Sequence, residues 1–187
     1  MDLGKTLYVT DRKQWRSWLT KNYNKEKDIW LIYYRKSSGK KKVPYNDAVE
    51  EALCYGWIDS IQKSIDKEKF VQRFSPRKPN SVLSQMNRER IYRLIKQKKM
   101  TSNGLRAVKH VFDESLENSK CLIKGDILKL LKKDEKTWEN FQKFPESYKR
   151  IRIGWIEEAR IRPELFKKRL EYFLKMTSKN KRYGMVQ

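Results

Sequence analysis

The spacing of apolar positions changes repeatedly along the chain, and each change predicts an element. Trp15, Trp18 and Leu19 recur at helical spacing behind Thr10 and Asp11, either of which can cap the first turn. Asn22 to Lys27 is a polar break. Ile29 to Lys36 reads IWLIYYRK, with apolar or aromatic side chains at nearly every position to Tyr34. That is the pattern of a central strand covered on both faces. Ser37-Ser38-Gly39-Lys40 is a turn. Ala48, Val49, Ala52 and Leu53 predict a helix from about Asn46 to Tyr55, stopped by Gly56. Trp57 to Ile65 reads as a strand with Trp57, Asp59, Ile61, Lys63 and Ile65 on one face and Ile58, Ser60, Gln62 and Ser64 on the other. Asp66-Lys67-Glu68 turns the chain into an antiparallel return, Lys69 to Phe74.

Helical spacing takes over from there. Ser81 or a neighbour caps a helix running to about Lys99, with Ile91, Leu94 and Ile95 as its apolar stripe. Asn103-Gly104 breaks it, and a shorter helix covers Leu105 to Phe112. Asp126 can cap Ile127 to Leu131. Trp138, Phe141 and Phe144 mark a further helix ended by Pro145, after which Ser147 can cap a helix lined by Tyr148, Ile151, Trp155 and Ala159. Pro163 suits the first turn of a last helix carrying Phe166, Leu170 and Phe173. The expected fold class is α+β: a small antiparallel sheet of about three strands with helices, followed by an all-helical C-terminal portion. Residues 1–112 form the α+β portion, 113–124 a polar linker, 125–176 the helical portion, and 177–187 a basic tail expected to fray.

Composition narrows the picture. A chain of 187 residues can bury a core without staples, and 12% aromatic residues with six Trp argue against disorder despite 36% charged residues. No apolar run approaches the ~20 residues of a membrane span, and MDLGKTLYVTDRK lacks the apolar core of a signal peptide, so a cytoplasmic location is expected. Two cysteines, Cys54 and Cys121, and the lone His110 are too few for a structural zinc site. No metal and no cofactor is expected, and no nucleophile motif surrounds His110. The net charge of +22 is uneven: Lys69 to Phe112 carries twelve Lys or Arg against one acid, Glu89. Such a field attracts polyanions and disfavours cationic partners.

Three groups of residues carry candidate chemistry. Trp57 and Asp59 share a strand face, where an indole and a carboxylate can meet one ligand; the alternative is a core Trp57, with Asp59 paired to a nearby Arg or capping a backbone group. Arg77-Lys78, held between Pro76 and Pro79, offers two pre-organised cations to an anion, or ends the strand as a solvated turn. Tyr33, Tyr34, Arg35 and Lys36 end the first strand and can border the same pocket. Arg88, Arg90, Arg93, Lys96, Lys98 and Lys99 decorate one helix, where they can track phosphates with Tyr92 stacking on a base, or form a solvated face. Glu50-Glu51 and Glu157-Glu158 read as helix-surface pairs.

ALCYGWIDS followed by FSPRKPNS, preceded by IWLIYYRKSSGK and closed by FPESYKRIRIGWIEEARIRPELFKKRLEYFLKM, resembles the YdeI or OmpD-associated proteins, also called bacteriocin-protection proteins. The resemblance runs roughly from Trp15 to Met176. It implies association with an outer-membrane porin or its regulation, and protection against bacteriocins or cationic antimicrobial peptides. It carries over no catalytic residue and no cofactor. Relatives tend to have Trp where this chain has Val82, so a pocket shaped by that Trp is altered here.

The expected function is therefore stress or bacteriocin protection through an anionic ligand bound near Trp57, Asp59, Arg77 and Lys78. Two other classes compete: a nucleic-acid-binding module using residues 69–112, and an enzyme at the same Trp57/Asp59 face. A chain of +22 repels a cationic peptide at long range, which disfavours direct capture of such peptides.

Overall fold

Thr6–Leu7 forms β1, and Asp11 then caps α1 (Arg12–Asn22) by accepting a 2.9 Å hydrogen bond from the Gln14 N–H. β2 (Ile29–Tyr34) leads through a short 3-10 turn, Lys36–Ser38, to α2 (Tyr45–Cys54), which stops before Gly56 at φ +78. β3 (Trp57–Ser64) and β4 (Lys69–Pro76) are joined at Asp66, whose carboxylate accepts from the N–H groups of Glu68 and Lys69. α3 (Gln85–Lys96) starts after Ser84 rather than at Ser81, and α4 (Ser102–Val108) is capped by Thr101, so Asn103-Gly104 lies in its first turn. The helices α5 (Gly125–Lys132), α6 (Glu135–Lys143), α7 (Glu146–Glu157) and α8 (Pro163–Ser178) complete the chain. This computed structural model describes residues 3–79, 81–113 and 119–184; Asn80, part of the 113–124 linker and the last three residues of the 177–187 tail lie outside them.

The chain divides into two compact units, Met1–Val82 with Arg90–Phe112, and Leu83–Glu89 with Asp113–Gln187. The first unit is α+β. Its sheet has the order β1-β2-β4-β3, with β2 antiparallel to β4 and β4 antiparallel to β3. The sheet is mixed, not purely antiparallel, because β1 joins β2 in parallel with Thr6 opposite Trp30. Two residues are too few to show a period in sequence, so this edge strand escapes pattern reading.

The pattern of faces on β3 also differs from the simple alternation. Asp59 opposes Phe74 while Gln62 opposes Gln72, so three steps along β3 match two along β4. This bulge turns every later side chain to the other face. Trp57 and Asp59 share a face with Phe74, and Gln62 and Ser64 continue it in place of Ile61 and Lys63. Lys63 sits on the opposite face, its Nζ 4.9 Å from the centre of the Trp30 ring, and Ile61 is exposed.

α1 packs on the Trp57 face. Trp15 lies 5.4 Å from Phe74 and Trp18 lies 5.8 Å from Trp57, centre to centre, and Trp15 donates its indole N–H to the Ala48 carbonyl of α2. Trp15, Leu19, Trp57 and Phe74 are fully buried. At roughly 1.5–3 kcal/mol for each large apolar side chain removed from water, such residues dominate this unit's stability. Glu50 and Glu51 are not surface residues as their pattern suggests; both are buried and held by arginines from other helices. Arg12 binds both, Arg16 binds Glu51 and Arg93 binds Glu50.

The second unit is helical. Ile127, Leu131, Phe141, Ile153, Ile156, Leu170 and Phe173 form its core. Asp134 caps α6 by accepting from the Thr137 N–H at 2.8 Å, and Pro163 occupies the first turn of α8. Asp126 lies inside the first turn of α5 and pairs with Arg160, so it is not the cap. Pro145, not Ser147, precedes α7. Glu89, the single acid of the basic stretch, receives both Nε and Nη2 of Arg150 at 2.7 and 2.8 Å. α8 continues to Ser178, and the Tyr183 ring centre lies 4.8 Å from that of Tyr172.

Candidate functional site

The four residues singled out by sequence occupy different environments. Trp57 is fully buried, and its indole N–H donates to the Tyr23 carbonyl at 3.0 Å. Asp59, two residues further, is half-buried on the same face and accepts a 2.5 Å hydrogen bond from the Tyr45 hydroxyl. Arg77 follows β4; its backbone N–H bonds the Gly56 carbonyl, and its Nη2 donates to the carbonyls of Ser81 and Val82 at 3.3 and 3.0 Å. Its Nε is buried without a partner among the described residues, and burial lowers its pKa. Lys78 is exposed. The fold thus brings Trp57 and Asp59 to one face, while the hydrogen bonds of Arg77 go to its own loop. Tyr34 alternates to the opposite face from Tyr33, lying 5.2 Å from Tyr8 and 4.4 Å from the Lys40 ammonium. Lys36 is exposed on the 3-10 turn.

What gathers around Asp59 instead is Tyr33, Tyr45 and Arg90, with Asn46 behind them. Tyr33 is aligned with Phe70, and the two rings stack at 5.3 Å. Tyr33 is 2% exposed, and its hydroxyl has no hydrogen-bond partner among the described residues. Burial raises its pKa, and the nearby Tyr45 and Asp59 add to that rise. Burial also raises the Tyr45 pKa, reinforced by its bond to Asp59. Arg90 of α3 is 7% exposed and donates to Asn46 Oδ1 at 2.8 Å. Burial lowers its pKa, while Tyr45, Glu50 and Asp59 favour its charged form. The cluster therefore offers a buried hydroxyl donor, a buried cation and an anchored carboxylate. Sequence named Tyr33 and Asp59. It missed Tyr45, which it did not single out, and Asn46, which read only as a helix start, and it placed Arg90 on a surface.

The basic helix does not present an unbroken row of cations. Arg90 is buried, Arg93 is paired with Glu50, and Arg88 and Lys99 are half-buried. Lys96 and Lys98 are exposed. Tyr92 is 4% exposed against Phe112, 4.8 Å away, so it is not available to stack on a base. Burial pushes the thiols of Cys54 and Cys121 up to about 11 and about 12, which keeps both protonated at neutral pH. Among the described residues no three His, Cys, Asp or Glu side chains converge as metal ligands. No helix among them is long and apolar enough to cross a membrane.

These features define a two-part chain, an α+β unit with a buried polar cluster on its sheet and a helical unit beside it in sequence. Residues 7–107 match the model of a domain of unknown function, DUF8412, and with more than half its length matched the chain belongs to that family. Residues 123–180 match the model described as bacteriocin-protection, YdeI or OmpD-associated (OmdA), which places that family's region in the helical part. The Gly-Trp-Ile-Asp-Ser and Pro-Arg-Lys-Pro motifs lie within the DUF8412 match. No curated protein and no solved structure matches the chain.

Proposed function

We propose that the chain acts in bacteriocin or antimicrobial-stress protection, the role that the OmdA description names, and that its first unit binds a small anionic ligand beside Asp59. The observation that carries the ligand is the buried Tyr33 hydroxyl, which has no partner among the described residues and lies next to the Tyr45–Asp59 pair and the buried Arg90. An unpaired buried hydroxyl is costly, and such groups concentrate where a ligand or ordered water completes the bonding. Arg90 and Tyr33 suit an oxyanion, and Asp59 suits an N–H or O–H donor on the same molecule. The exposed Lys78 and the net charge of +22 favour approach of an anion and oppose that of a cationic peptide.

Thermal unfolding of the intact chain against phosphate- and carboxylate-bearing metabolites, at fixed ionic strength, tests this. A compound that raises the midpoint for the parent chain should lose its effect in Tyr33→Phe and Asp59→Asn and keep it in Lys98→Ala. If no compound shifts the midpoint, or if Tyr33→Phe responds as the parent does, the reading fails.

A further inference from the structure

Arg152 of α7 is 4% exposed, and no carboxylate pairs with it among the described residues. Aromatic rings surround it instead: its guanidinium carbon lies 4.6 Å from the centre of Tyr183, 5.5 Å from Tyr148 and 5.7 Å from Trp155. Arg169 of α8 lies 4.4 Å from the same Trp155 ring and donates Nη1 to the Trp155 carbonyl. Two guanidinium groups thus share one indole, with no acid paired to Arg152 or Arg169 among the described residues. Ring faces attract a cation, but they offset only part of the cost of burying one and leave its in-plane N–H groups without acceptors.

The unsatisfied atoms identify an edge. Nε and Nη2 of Arg152 are buried without partners among the described residues. Their N–H bonds lie on one side of the planar group and run nearly parallel, the arrangement that grips two oxygens of a carboxylate or phosphate. The Tyr183 hydroxyl is also buried with no well-formed hydrogen bond among the described residues; Arg152 lies near enough to interact with it and to oppose the rise that burial imposes on its pKa. The chain after α8 forms the wall. Gly184 has φ +78, a conformation that side-chain-bearing residues rarely adopt, and a Cβ there would stand 2.7 Å from Arg152 Nη2 and push the guanidinium aside.

We propose that Arg152 is an oxyanion site, holding a carboxylate or phosphate group through Nε and Nη2, with the Tyr183 hydroxyl as a further donor. This site belongs to the second unit and shares no residue with the Asp59 cluster, so neither reading depends on the other. It gives the OmdA region a binding chemistry of its own, with Arg152, Trp155 and Arg169 all inside residues 123–180.

The test is a titration of the intact chain with inorganic phosphate and with acetate, chloride holding the ionic strength constant. The Nε–H resonance of Arg152 is followed by NMR, alongside the thermal midpoint. A saturable downfield shift of that resonance with either anion, together with a rise of several degrees in midpoint, supports the site; which anion acts names its source. Arg152→Met should remove the midpoint response, Arg152→Lys should weaken binding about tenfold because a point charge replaces the fork, and Arg182→Ala should leave it unchanged. An unmoved Nε–H resonance with both anions overturns the proposal, as does an equal midpoint rise in Arg152→Met. Should Arg152→Met fail to fold, the NMR titration of the parent chain and of Arg182→Ala still decides.

Discussion

The Tyr45 hydroxyl and the Asp59 carboxylate are joined by a 2.5 Å hydrogen bond that ties the first residue of α2 to β3. The bond engages one carboxylate oxygen, Oδ2. It also makes the position of Asp59 depend on where a helix starts, a relationship no local pattern encodes.

Removing the donor should expose that dependence. Tyr45→Phe is expected to cost about 1.5–3 kcal/mol in urea denaturation, the usual range for a hydrogen bond to a charged group. Asp59→Asn should cost a similar amount or less while preserving the fold. The double variant should cost less than the sum of the two, because both remove the same interaction. Full additivity would show that the bond contributes nothing.

Trp57 should behave as core. Trp57→Phe keeps most of the ring contact with Trp18 and loses the bond to Tyr23, so a loss of about 1–3 kcal/mol is expected. Trp57→Ala should cost about 3–5 kcal/mol. Equilibrium unfolding measures both; an alanine variant as stable as the parent would contradict full burial.

Acid should weaken the first unit through Glu50. Burial alone would raise its pKa, but the bond from Arg12 and the charges of Arg93 and Arg12 outweigh burial and hold it below the ordinary value of 4.5. A carboxyl with a folded pKa below its unfolded one stabilises the fold above the unfolded value, and that stability is lost as pH falls through the folded pKa. The thermal midpoint should therefore drop as pH falls below 4.5. Glu50→Gln should be less stable at neutral pH and show a shallower drop on acidification.

Lys98 ends α3 at φ 55, with its N–H on the Ile95 carbonyl and the Lys99 N–H on that of Leu94. This is the left-handed closure that glycine adopts without a Cβ penalty. Lys98→Gly should raise stability by about 0.5–1 kcal/mol in urea denaturation, whereas Lys96→Gly, at the last residue of α3, should bring no such gain.

Much of the architecture was legible because it rests on local periodicity. The apolar run of IWLIYYRK marked β2, Asp11 marked the start of α1, and Pro163 marked the start of α8. The misses share a cause. Ile61 and Lys63 changed faces through a bulge visible only in the pairing of β3 with β4, and Glu50 and Glu51 looked solvated because the three arginines that bury them lie on α1 and α3. Arg152 sat unremarked three residues from Trp155 on an aromatic helix, since sequence does not show whether a cation there meets water, an acid or rings.

By itself the sequence determined the order and type of most elements and the basic excess, which depend on spacing and composition. The tertiary structure alone decided which charges are buried and what they face: Arg90 turned inward to Asn46, Arg77 folded onto its own loop, Tyr33 without a partner and Arg152 among rings. The physical reason is that a charge or hydroxyl is stabilised by groups within a few ångströms, and here those groups come from other elements of the fold.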